Sequence, residues 1–127
     1  MKRLNVSSGS KYEKPIGFSR AVRIGNVLAV SGTAPIAEDG STDAPGDLYK
    51  QTKRCIEIIK KAIGEAGGDL TNVIRTRVYL TNIQDWKNAA KAHGEYFSAI
   101  QPACTFVEVK GLIKSDWLVE IEADAII

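Results

Sequence analysis

The chain has 127 residues, of which 44% are hydrophobic and 25% charged, the balance of one ordinary globular domain spanning 1–127 rather than a disordered segment. Its net charge of +2 is too small for a general nucleic-acid or membrane surface, and no stretch approaches the ~20 apolar residues of a membrane span. Cys55 and Cys104 are too few for a disulfide framework, and Met1–Val6 has charge without an apolar export segment, so a reducing cytoplasm is the expected setting.

Arg20–Ile24 and Val27–Ser31 are short β-branched runs joined by Gly25-Asn26, which predicts a hairpin. Ala37–Gly46 is rich in turn formers and reads as one long loop. Between Asp47 and Ala66 the apolar residues fall at 48, 55, 56, 59, 63 and 66, a helical period closed by Gly67-Gly68. Val73–Leu80 has strand composition. Asn82 and Asp85 read as the start of a second helix, with Trp86, Ala90, His93, Phe97 and Ile100 along one stripe. Ala103–Lys110 and Trp117–Ile127 complete the pattern as strands. The expected order is β-β-α-β-α-β-β, an α+β layer with two helices on one face of one sheet.

Alternation sorts the strand residues into two faces. Ile74, Thr76, Val78 and Leu80 share a side, as do Val119, Ile121, Ala123 and Ala125; these suit a helix-covered core. Arg75, Arg77 and Tyr79, with Leu118, Glu120, Glu122, Asp124 and Ile126, form a mixed opposite face. Cys104, Phe106 and Glu108 share one side of their own strand, and Phe106 is expected on that mixed face. The face is either a solvated sheet surface or a subunit interface; its contiguous large apolar residues favour a contact surface.

Five segments in this order and spacing resemble the YjgF/RidA family, also called endoribonuclease L-PSP. They are Gly17–Ala21, Val30–Pro35, the glycine-closed first helix, Arg75–Asn82 followed by Asp85-Trp86, and Pro102–Asp124 with its closing Ile-Glu-Ala. The resemblance implies a chorismate-mutase-like fold assembling as a homotrimer, with clefts for a small organic metabolite between subunits and no cofactor. It further implies enamine or imine hydrolysis, in which an arginine grips the substrate carboxylate and a glutamate positions water.

Carried over position by position, Ser31 and Glu120 match the family's serine and water-positioning glutamate. Ser19 falls where a tyrosine is expected, and Ala90 where an asparagine is. Cys104 stands in place of the arginine, which makes this a divergent member. Losing a charged partner for a desolvated carboxylate costs about 2–5 kcal/mol, roughly 30- to 4,000-fold in affinity. Arg20, Arg75 or Arg77 must then supply the cation; Arg20, beside Ser19, is the preferred one, because Arg75 and Arg77 also suit pairing with Glu108, Glu120 or Glu122.

The candidate set is therefore Glu120 as catalytic base, with Ser31, Ser19, Arg20 and Cys104 binding substrate. Cys104 reads either as a nucleophile or as a small packed hydrophobe. His93, the only histidine, lacks companions for a metal site and fits the apolar stripe of its helix. Two function classes stay open, a trimeric imine or enamine deaminase and a non-catalytic metabolite-binding trimer. Ribonuclease activity, the family's older name, ranks last because the basic footprint for RNA is missing.

Overall fold

The strongest alternation in the chain lies in its final strand, and a computed structural model, which describes residues 1–127, places that strand at the centre of the sheet. Six strands, β1 (Arg3–Val6), β2 (Ala21–Ile24), β3 (Val27–Thr33), β4 (Val73–Leu80), β5 (Ala103–Glu108) and β6 (Val119–Ile126), lie in the spatial order β1-β2-β3-β6-β4-β5. β6 is antiparallel to both β3 and β4, whereas β4 and β5 are parallel. A parallel pair needs a crossover, supplied here by α3 (Trp86–Phe97).

α2 (Leu48–Glu65) starts where the Asp47 carboxylate accepts from the Lys50 amide, and ends before Gly67 at φ +97°, a conformation glycine tolerates. Its helical-period residues Ile56, Ile59 and Ile63 enter one core with Leu28, Val78, Leu80, Val119 and Ile121 from the sheet. Each such side chain contributes about 1.5–3 kcal/mol of burial free energy. Ala89 and Phe97 of α3 join the same cluster, so the two long helices cover one face as expected.

Four expectations need correction. The N-terminal residues add β1 and a one-turn helix, α1 (Glu13–Ile16), which precede the anticipated order. β1 is a four-residue edge strand with only Val6 buried, too short and too charged to stand out. Ile74 does not face the core and is 52% exposed; Val73 is buried in its place. A register shift between Val73 and Arg75 inserts one extra residue, which turns Ile74 outward. Asn82 caps a 3-10 turn at Ile83–Asp85 by accepting from the Gln84 amide, and α3 begins only at Trp86. Finally, Phe106 lies on the helix side of β5. Its partner in the parallel ladder is Val78, which is buried, and its ring meets Trp86 and His93 of α3.

Candidate active site on the open face of the sheet

The face away from the helices carries two different polar arrangements. Along β4 and β6, Arg77 Nη1 lies 3.1 Å from Asp124 Oδ2 and 3.5 Å from Glu122 Oε1, and the Tyr79 hydroxyl donates to Glu122 at 2.5 Å. This carboxylate holds the Tyr79 phenol above its ordinary pKa. Arg77 is therefore committed to structural pairing and is not a free cation for substrate.

The second arrangement centres on a bulge. Between Val30 and Thr33 the β3/β6 ladder gains one residue on β3, and Ser31-Gly32 fills the irregularity. Bulges re-aim side chains and are frequent beside active sites. Here the Ser31 hydroxyl donates to the Ser19 carbonyl at 2.6 Å, while the Ser31 amide donates to the Arg20 carbonyl at 3.0 Å. The Arg20 guanidinium donates through Nη2 to the Gly32 carbonyl, and its buried Nε has no partner. Glu120 closes the group from β6. A Cβ on Gly32 would stand 2.5 Å from Glu120 Oε2, so only glycine lets the carboxylate lie over the bulge.

Glu120 is the chemically distinctive member. Burial raises its carboxyl above the usual range; Arg20 opposes that rise and Glu122 adds to it. Arg20 answers in kind: burial lowers its guanidinium, and Glu120 works against the loss. Together they form a half-buried acid and a desolvated cation around one backbone bulge, with no direct salt bridge between them.

A cleft of about 400 Å³ reaches Ser19 and Ser31 and is rimmed by Arg3, Lys14 and Phe18, whereas Glu120 and Arg20 lie outside its lining. Its wall is braced by Asn5, whose amide donates to Ser19 Oγ at 2.9 Å. Glu13 braces it too, accepting from Ser7 Oγ at 2.7 Å and from the Ser8 amide at 2.9 Å. The cations Arg3 and Lys14 escaped sequence reasoning because they precede every recognised segment. The alternation Arg3-Leu4-Asn5-Val6 was the available signal. A similar concavity at Met1, Leu4 and Arg23 offers no acid or hydroxyl.

The structure thus brings Ser19, Arg20, Ser31 and Glu120 together at the bulge and leaves Cys104 out. Cys104 on β5 pairs with Thr76 of β4, which puts it two strands from β6 and on the helix side of the sheet, about 10 Å away by strand spacing alone. Within one subunit it cannot occupy the position beside Glu120 that an arginine in its place was expected to serve. Arg75 is exposed on β4, outside the bulge.

The comparisons with known proteins bear on the family and the fold. The family model for endoribonuclease L-PSP matches residues 11–127. The chain belongs to the endoribonuclease L-PSP (YjgF/RutC) family. A RutC family protein of Pyrococcus abyssi is 41% identical over 116 residues, 91% of each chain. The 3-aminoacrylate deaminase RutC of Acinetobacter baylyi is 34% identical over 105 residues, 83% of this chain and 82% of that one. Among solved structures, a YjgF/YER057c/UK114 family member from Mycobacterium tuberculosis superposes with a TM-score of 0.90 at 41% identity, covering 99% of this chain and 100% of that one. The YjgF/RutC chain described here is thus a mixed α+β protein of that family's fold.

Proposed function

We propose that this YjgF/RutC-family chain hydrolyses a small, reactive enamine or imine acid, with Glu120 as the base that takes a proton from the attacking water. The observation that carries the reading is the Glu120 carboxyl, half-buried over Gly32 with a pKa raised by burial. A raised carboxyl pKa makes the ionised form a stronger base toward water. An enamine first takes a proton on its β-carbon from solvent to become the imine. Water deprotonated by Glu120 then adds to the C=N carbon, that proton passes to nitrogen, and collapse of the adduct expels ammonia and leaves a carbonyl acid. Ser31 and Ser19 at the cleft wall hold the substrate's polar end. The positive charge that Cys104 does not supply comes from Arg20 behind the bulge and from Arg3 and Lys14 at the rim.

The reading includes a homotrimer. Ile24, Val27 and Ile126, all exposed, are neighbours in the ladder on the open face, and such a contiguous apolar group suits coverage by further copies of the chain. A metabolite-binding trimer without turnover is the second reading. It is favoured by the internal engagement of Ser31 with the Ser19 carbonyl and of Arg20 with the Gly32 carbonyl.

Generating 2-aminoacrylate or 3-aminoacrylate in situ and following its decay separates the two. Accelerated release of the carbonyl acid, lost in Glu120→Gln, supports hydrolysis. Decay at the buffer rate, with a ligand-induced rise in melting temperature, supports binding alone. Light scattering that finds only monomer counts against both.

A further inference from the structure

Outside the bulge site, one cluster places a nucleophile beside a proton acceptor. Thr76 and Cys104 are ladder partners on the parallel β4/β5 pair, and His93 of α3 lies over both. His93 Nε2 is 2.8 Å from Thr76 Oγ1 and 3.7 Å from Cys104 Sγ. The imidazole is only 8% exposed, held against Phe97 at 4.6 Å between ring centroids and against Phe106 at 5.9 Å. Phe106 in turn meets Trp86 edge-on at 6.1 Å. Cys104 is an exposed residue of the edge strand β5.

From this geometry we infer that Cys104 and His93 form a reactive thiol–imidazole pair that adds to α,β-unsaturated carbonyl compounds. In the tautomer with the proton on Nδ1, the Thr76 hydroxyl donates to Nε2 at 2.8 Å and orients the ring, and the thiol at 3.7 Å delivers its proton to the same nitrogen when that hydroxyl rotates away. Burial lowers the pKa of His93, so the ring enters the reaction neutral. The Sγ electron pair forms the S–C bond at the β-carbon. The C=C π pair moves to the α-carbon, and the proton held on Nε2 is returned there. The product is a saturated thioether; no oxidant, reductant or leaving group is required.

Competing chemistries fit less well. No group of three His, Cys, Asp or Glu side chains could hold a metal ion. The other thiol, Cys55, is fully buried on α2 with its pKa pushed up by that burial, so it cannot resolve an oxidised Cys104 as a disulfide. The aromatic walls of Phe106 and Trp86 suit a flat conjugated body.

The inference does not depend on deaminase activity, and its test does not measure that activity. The folded protein is treated with N-ethylmaleimide at pH 7 beside glutathione at equal thiol concentration, and the adduct is located by peptide mass. A Cys104 adduct forming at least tenfold faster than the glutathione adduct, with Cys55 unmodified, is expected. His93→Gln, shown folded by circular dichroism, should bring the rate to within about threefold of glutathione. Reaction of wild-type Cys104 no faster than glutathione overturns the inference without any variant. An unchanged rate in folded His93→Gln overturns the role of the imidazole.

Discussion

The two faces of the sheet are made by the same strands, yet they obey different rules. On the helix side, Ile121, Val119, Leu80 and Val78 have no exposed surface and pack in one apolar cluster. Their energetics is that of close packing, insensitive to salt or pH. On the open side, Glu120, Glu122, Asp124, Arg77 and Tyr79 project from the same residue runs at the alternate positions, half exposed. There, charge sets the behaviour, and only Glu120 lacks a hydrogen-bonded or ion-paired partner of the kind that Glu122 and Asp124 possess. The lesson is that a strand pattern fixes where the core is, whereas chemistry collects where the pattern leaves polar groups incompletely paired.

Glu120→Gln should break this contrast most visibly. If Glu120 is the base, hydrolysis falls by about 10²–10⁴-fold. Its carboxyl is raised in the fold, so ionisation weighs against folding. That cost is fully present above the raised value and disappears below the unfolded carboxylate range, near pH 4.5. The variant's melting temperature should therefore equal or exceed that of the parent at pH 7, and the difference should vanish as the pH is lowered toward 4. Melting curves across pH, alongside turnover, check both.

Next in size is Ile121→Ala, one residue away but on the packed side. It should cost about 2–5 kcal/mol of stability, read as a lowered urea midpoint with little dependence on salt. A cost below 1 kcal/mol would mean that the helix side is not the tight core described here.

Gly32→Ala sharpens the comparison at the bulge. The new methyl group cannot share space with Glu120 Oε2, so the carboxylate must turn away. Turnover should fall by about ten- to a hundredfold, while the stability change stays near 1 kcal/mol because a flexible side-chain end moves rather than backbone. Unaltered turnover would separate Glu120's position from catalysis. The smallest effect belongs to Arg77→Gln. Its ion pairs are about one-third exposed, and such pairs contribute about 0–1 kcal/mol, screened by salt. A melting-temperature difference that shrinks in 1 M salt is the expected outcome.

Much of the fold was legible because period and partner agree. The α2 spacing, the Gly67 stop and the alternation in β6 each specify burial locally, and each was borne out. Cys104 and Phe106 show where local reading stops. Their shared parity was readable, but which face that parity meant depended on the pairing of Cys104 with Thr76 and Phe106 with Val78 across a parallel ladder. A single extra residue at Ile74 likewise reversed a side assignment that strict alternation had made. At the candidate site, Ser19, Arg20, Ser31 and Glu120 were named from sequence, whereas the way Gly32 joins them was not. That contact spans β3 and β6, far apart in the chain, and exists only because the ladder slips by one residue between them.

The central position of β6 has a consequence for how the molecule comes together. Residues 21–33 can close their hairpin, and residues 73–108 their strand–helix–strand unit, before β6 is available, but neither shares a ladder with the other. Only when residues 119–126 insert between β3 and β4 does a single continuous sheet exist, with Ile121 and Ala123 paired to both neighbouring strands. Insertion of β6 thus closes the longest loops of the chain, which predicts slow folding for its size, and a lesion in β6 should uncouple the two ladder halves, which would then meet mainly through α2.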